Sequence, residues 1–164
     1  MAWAYITSAH EPPPKGGAPV SLRARAMRLL ARREHSRDEL RRKLAPKVQE
    51  GEDLEGVLDA LVKDGWLSDA RFAEVSIRAK ARRFGPRMLA HQLRGKGVDE
   101  ESIEQAFRAA GADGASSLER IWASRFREAP ADEREKARQV RFLQARGFAL
   151  EEIFRYLKNL KEKT

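Results

Sequence analysis

The chain contains no cysteine. Disulfide scaffolds, thiolate metal sites and cysteine nucleophiles are therefore excluded together. Histidine is nearly as scarce: His10, His35 and His91 lie too far apart in sequence to suggest an imidazole cluster. No apolar run approaches the roughly 18 residues of a spanning helix, and the opening MAWAYITSAH lacks the basic start of an export signal. A cytoplasmic protein without membrane contact is expected. Also missing are a Gly-rich phosphate loop, an H-E-x-x-H pair and any serine or histidine nucleophile motif. Acidic neighbours such as Glu100 with Glu101, or Glu151 with Glu152, stand at helix starts, where they complement the dipole. The expectation is a non-enzyme with no cofactor and no metal.

What the 164 residues do contain is charge: 33 Lys and Arg against 25 Asp and Glu, a net +8. That balance suits a polyanionic partner, nucleic acid or a complex built on it, and serves plain solubility equally well. With 41% hydrophobic residues a core is also available.

Residues 10–19, HEPPPKGGAP, cannot sustain a helix, so 1–19 reads as a flexible Pro/Gly-rich lead-in. From Val20 to Lys158 apolar residues recur at spacings of three and four, and nothing alternates convincingly with a period of two. The fold class is all-α. Ser36 with Glu39, Ser116 with Glu119 and Asp132 with Glu135 have capping-box spacing. Gly85-Pro86 starts another helix, and Gly65, Gly97, Gly111 and Gly147 stand where helices would end. These marks predict nine helices, near 20–34, 37–46, 53–64, 69–83, 86–95, 99–110, 116–128, 132–146 and 149–160.

The nine fall into three sets of three. Leu93, Gly97, Val98, Ile103 and Phe107 return fifty positions later as Leu143, Gly147, Phe148, Ile153 and Leu157. The first set fits the same pattern with three extra residues in its second loop, through Leu44, Val57 and Leu61. The expected architecture is an elongated array of three tandem three-helix repeats of about 50 residues, at 20–67, 68–112 and 113–164. Units this small are expected to share a continuous apolar seam. Trp66, Phe84, Trp122, Phe126 and Phe142, beside helix ends, read as packing residues, with base stacking as the alternative.

Charge divides among helices. Residues 20–45 carry a net +6, 50–64 a net −5 and 71–96 a net +7. Arg25, Arg28 and Arg32 share one helical ridge, Arg71, Arg78 and Arg82 another, and Arg87, His91 and Arg94 a shorter one. Arg134, Arg138 and Arg141 repeat the spacing. A guanidinium offers a flat fork of donors to carboxylate or phosphate, so these ridges read as binding faces. The competing reading is solvated faces neutralised by the molecule's own acidic helices.

Four stretches resemble a known family. Leu29-Leu30-Ala31-Arg32-Arg33-Glu34-His35-Ser36-Arg37-Asp38-Glu39-Leu40, Asp69-Ala70-Arg71-Phe72-Ala73, Leu93-Arg94-Gly95-Lys96-Gly97-Val98 and Arg146-Gly147-Phe148 are similar to RecX, the modulator of the bacterial recombinase RecA. The likeness runs from about Leu22 to Leu157, and departs from the family pattern in the Pro-rich leader and in Val98, where isoleucine is commoner. It implies three tandem three-helix repeats and an interaction protein that takes part in DNA recombination, DNA repair and the SOS response. RecX proteins bind along the groove of the RecA filament on single-stranded DNA. In most cases they inhibit its ATP hydrolysis, strand exchange and coprotease activity, with filament capping or disassembly also proposed. The partners implied are the RecA filament and single-stranded DNA, met directly or within it, by a monomer. On ridge geometry Arg25, Arg28, Arg32, Arg71, Arg78, Arg82, Arg87 and Arg94 are the residues that face acidic recombinase surface, DNA phosphate, or both. Arg71, beside Phe72, could equally close a structural ion pair. The alternative function is a stand-alone, non-sequence-specific nucleic-acid-binding repeat protein.

Overall fold

Helix starts in this chain are set by short acceptors that take the orphan amides of a first turn. Ser21, Ser36, Asp53, Ser68, Asp99, Asp113 and Asp132 each accept from a backbone N–H two or three residues on. In the computed structural model, which describes residues 20–162, the helices are α1 Leu22–Leu30, α2 Arg37–Leu44, α3 Leu54–Lys63, α4 Asp69–Lys80, α5 Pro86–Arg94, α6 Glu100–Ala110, α7 Gly114–Ala123, α8 Glu133–Ala145 and α9 Leu150–Glu162. A single 310 turn, Ala45–Lys47, follows α2. The lead-in 1–19 lies outside the described residues.

The start of α7 and the capping of α2 differ from the sequence reading. α7 begins at Gly114, not after Ser116, because the Asp113 carboxylate accepts from Ala115 N–H at 3.1 Å, Ser116 N–H at 3.2 Å and the Ser116 hydroxyl at 2.9 Å. A charged acceptor at a helix N-terminus outcompetes a hydroxyl there. At α2 the Ser36 half of the capping box forms, with Glu39 N–H donating to Ser36 Oγ at 3.1 Å. The Glu39 carboxylate turns instead to Arg33, which donates to both its oxygens at 2.6 and 3.1 Å.

Helices pack within their own units: α1–α3, α4–α6 and α7–α9. Each unit closes on its own core. Leu22, Ala26, Leu40, Leu44, Leu58, Leu61 and Leu67 fill the first, Phe72, Ile77, Leu89, Leu93 and Ile103 centre the second, and Leu118, Ile121, Trp122, Leu143, Ile153 and Leu157 the third. Each such leucine or isoleucine contributes about 1.5–3 kcal/mol by leaving water. The third core also holds a polar pair: Trp122 Nε1 donates to Gln139 Oε1 at 2.8 Å, and Gln139 Nε2 donates to the Glu128 carbonyl. Among the described residues no buried side-chain polar atom lacks a partner.

The expected continuous seam is not what joins the units, since the three cores are separate clusters. Instead, the start of a unit's second helix docks on the helix-ending turn of the next unit. At the first junction the Ser36 hydroxyl donates to the Lys96 carbonyl at 2.7 Å, and Arg37 N–H donates to Asp69 Oδ1 at 2.7 Å. At the second, Gly85 N–H donates to the Arg146 carbonyl at 2.6 Å and Arg87 N–H to the Gly147 carbonyl at 3.1 Å. The turns themselves contain Gly97 at φ +75° and Gly147 at φ +92°. A Cβ on Gly97 would lie 2.6 Å from Asp38 Cβ, and one on Gly147 would lie 2.5 Å from the Met88 nitrogen. Only glycine satisfies both the backbone and the approach.

Gly65 separates these two demands, because its φ is +78° while the space that a Cβ would enter has no atom within 4 Å. Gly65→Ala should cost about 1 kcal/mol, the left-handed penalty alone. Gly147→Ala should cost about 3 kcal/mol, since overpacking against α5 adds to it. Urea denaturation of both variants measures the difference; equal losses would show that the junction yields freely.

Candidate functional site

The basic ridges can be followed arginine by arginine. Arg25 is half-buried and donates from Nη1 to the Lys47 carbonyl at 2.6 Å. Arg71 is fully engaged: Nε meets Glu34 Oε1 at 2.6 Å, and its two terminal nitrogens donate to the Gly65 and Trp66 carbonyls at 3.1 Å each. It thereby ties α4 to the connection between α1 and α2 and to the turn after α3, which is the structural ion pair. Arg78 donates to Glu74 one turn back at 2.8 Å and to the Ala109 carbonyl at 2.9 Å. Arg94 grips Glu100 with two bonds of 2.8 and 2.5 Å across the α5–α6 turn.

The remaining four are different. Arg28 and Arg32, one turn apart at the end of α1, are exposed, and their side chains have no hydrogen-bond or ion-pair partner among the described residues. Arg82 and Arg87, which flank the Phe84-Gly85-Pro86 turn, are exposed in the same way; Arg87 uses only its backbone N–H. Of the eight candidate arginines, the structure thus leaves one pair without partners in the first unit and one in the second, among the described residues. In the third unit's ridge, Arg138 pairs with Glu135 at 3.0 Å, while Arg134 and Arg141 are exposed.

Neutralisation by the molecule's own acidic helices does occur, at Arg94 as above and most densely on α2. Arg41 meets Glu55 at 2.6 Å, and Arg37 meets Glu55 at 2.9 Å and Asp59 at 2.6 Å. Arg41 and Arg37 together hold the Glu55 carboxyl down at about 2. Arg23 pairs with Asp64 at 2.9 Å.

The first junction is an ionic cluster. Arg33 clamps Glu39 and, by hydrogen bonding and proximity, holds it down at about 2. Lys43 and Lys96 approach the same carboxylate at 3.8 and 3.9 Å. His35 is 2% exposed, with Nδ1 3.0 Å from the Arg33 carbonyl and Nε2 3.0 Å from Lys43 Nζ. An ammonium only donates, so Nε2 accepts and the ring proton sits on Nδ1. Burial pushes the His35 pKa down and the Asp69 pKa up. All of these residues but Lys43 belong to the stretches 29–40, 69–73 and 93–98, so the motifs read in the sequence largely build the junction.

Of the five aromatic residues beside helix ends, Trp122 and Phe126 are buried, and Phe142 and Phe84 are half-buried beneath Arg146 and Arg83. Trp66 is 53% exposed. Sequence reasoning passed over Arg33, Arg83 and Arg146, whose roles come from contacts that no helical spacing encodes. A cleft of about 460 Å³ opens at the second junction between Arg87, His91, Gln144, Leu150 and Glu151. Among the described residues no group of three or more His, Asp or Glu could hold a metal ion, and no helix is long and apolar enough to cross a membrane.

Three family models match in chain order: the first three-helix domain of RecX over residues 23–61, the second over 68–106 and the third over 113–157. The regulatory protein RecX of Chromobacterium violaceum is 44% identical over 81% of this chain and 86% of its own length. That of Pseudomonas entomophila is 43% identical over 85% of this chain and 91% of its own. The crystal structure of RecX from Lactobacillus salivarius superposes with a TM-score of 0.67, covering 85% of this chain and 94% of that one, at 20% identity.

The Glu39 clamp makes stability depend on acid. Its folded pKa lies below the ordinary value, so the contribution is complete above about pH 4.5 and disappears as pH falls toward 2. Asp69, raised by burial, works with the opposite sign and is common to both proteins compared. Glu39→Gln should lose about 1–2 kcal/mol at pH 7, a figure reduced for the solvent exposure of Arg33, and the gap to wild type should close toward pH 2. Denaturant midpoints across pH 2–7 test this; a constant gap would remove Glu39 from the linkage.

Proposed function

The chain belongs to the RecX family, and on that premise we propose that it is a non-enzymatic regulator of homologous recombination and the SOS response. Its target is the RecA filament on single-stranded DNA. It lies in the filament groove as a monomer and lowers RecA ATP hydrolysis, strand exchange and coprotease activity. The observation that carries this reading is the survival of two unpaired arginine pairs, Arg28 with Arg32 and Arg82 with Arg87, on successive units held by hydrogen-bonded junctions.

Spaced contacts on one rigid body suit a repeating target. Once one unit is bound, the next meets its site at high effective concentration, so individually weak contacts suffice. A body that touches more than one protomer restrains the movements each needs during turnover. Arg25, Arg71, Arg78 and Arg94 remain part of the proposed face through their exposed surfaces, but each is already held by a carbonyl or carboxylate of the chain. The burden of contact falls on the unpaired four.

Co-sedimentation with RecA filaments on single-stranded DNA, followed by an ATP-hydrolysis assay, tests the reading. The wild-type chain should bind and slow hydrolysis. Arg28→Glu with Arg32→Glu should weaken filament binding at least tenfold, about 1.4 kcal/mol, with helicity by circular dichroism unchanged. Equal binding and equal inhibition by the variant would reject the α1 end as a contact.

A further inference from the structure

The third unit exposes apolar surface on α9 that its own core does not use. Ile153 and Leu157 of that helix are buried, whereas Leu150 and Phe154, one turn apart, are 41% and 46% exposed. Phe154 and Leu157 floor a cleft of about 360 Å³, which Pro130, Lys136, Lys158 and Lys161 complete. We propose that this cleft is a docking site for an acidic protein segment: a peptide that seats one large apolar side chain among Phe154, Leu157 and Pro130 and sets carboxylates on the three lysines.

Three parts of the unit build the cleft. Phe154, Leu157, Lys158 and Lys161 follow the spacing of one face of α9. Lys136 comes from the first half of α8 and holds its ammonium 5.9 Å from the centre of the Phe154 ring. Pro130 lies in the connection between α7 and α8 and is buried. Leu157 is 3% exposed and belongs to the core of the unit, so folding has already fixed the floor. A preformed floor spares the partner part of the ordering cost of binding.

Charge selects the partner. The lining holds three lysines and no carboxylate. Lys161 has no ion-pair partner among the described residues, Lys158 reaches Glu162 at 3.8 Å, and Lys136 meets Glu133 at 3.4 Å. Exposed pairs of this kind contribute little, so carboxylates of a partner can take their place. A second copy fits poorly, because twofold pairing of this patch sets its lysines against each other. A lipid surface needs the whole apolar face of a helix, and here Ile153 and Leu157 are spent on the core. A nucleic-acid base would need the Phe154 face over which Lys136 already stands. Docking at α9 uses none of the unpaired arginines that carry the regulatory reading, and so goes beyond it.

The full-length chain is titrated into a fluorescein-labelled nonapeptide of Asp and Glu around a central Phe, at about 50 mM salt with anisotropy as the readout. Wild type should bind with a Kd of about 100 μM or tighter. Phe154→Ala and, separately, Lys161→Glu should each weaken binding by about fivefold or more with helicity unchanged, and replacing the peptide's Phe by Ala should do the same to wild type. Lys161 is exposed, so its variant keeps the test decisive where Phe154→Ala disturbs α9. No binding by wild type, equal binding by the Lys161 variant, or equal binding of the two peptides overturns the site. Binding to phosphatidylglycerol vesicles, binding to oligothymidine, or a dimer in sedimentation, when lost in Phe154→Ala, assigns the patch to another occupant and equally overturns it. The peptide titration contains no recombinase, and the ATP-hydrolysis assay on filaments contains no peptide, so this site and the regulatory reading fail independently.

Discussion

The fold depends on a close approach of backbones: the first turn of a unit's second helix seated on the left-handed turn of the unit that follows. Gly97 and Gly147 make it possible, fifty residues apart and in equivalent places. Each three-helix core is too small to be secure alone, and the cores do not merge. Stability must therefore pass between units through hydrogen bonds at these turns. Because those bonds use backbone N–H and carbonyl groups, the geometry recurs while side chains around it are free to differ. Nearest-neighbour coupling of this kind is what lets a repeat array behave as one body.

That freedom accounts for the charge pattern. At the first junction side chains supplement the backbone, and Glu39 gathers Arg33, Lys43 and Lys96 around a carboxylate that is 8% exposed. Removing one partner there would strand the others in partial burial. At the second junction a backbone carbonyl and aromatic rings restrain Arg83 and Arg146, without a carboxylate. The same plan thus yields a neutralised joint between the first two units and an open cationic one between the last two.

Much of this was legible in the residues, and the limits were physical. Local devices read well: Ser36, Asp132, Gly85-Pro86 and the glycines Gly65, Gly97, Gly111 and Gly147 act within a few positions, and all of those last four glycines have positive φ. The fifty-residue match located the equivalent turns. What stayed hidden were partners separated by turns or units. Arg94 finds Glu100 around a reversal of the chain, and Arg71 finds Glu34 at a separation of 37 residues. Helical spacing put both arginines on ridges and could not say that their side chains were already engaged. At α7 two caps competed, and the chain uses the carboxylate that takes three donors over the hydroxyl that became one of them.

The same junction plan can be followed into the first unit. The first unit carries a matching turn at Gly51, φ +81°, which has no neighbour within 4 Å of a Cβ among the described residues. In the later units the residue before the glycine is basic, Lys96 or Arg146; here it is Glu50, and Glu52 is turned inward to accept from Leu22 N–H at 3.0 Å and Gln49 N–H at 2.9 Å. At the opposite end, the first turn of α8 is acidic, with Glu133 and Glu135 after the Asp132 cap. Docking a second copy in register would set Glu50 against those carboxylates, where Lys96 meets Glu39 in the first junction. The turn at Gly51 thus departs in charge from its two equivalents, with Glu50 where they carry Lys96 and Arg146, and the cationic joint between the last two units differs from both the Gly51 turn and the first junction.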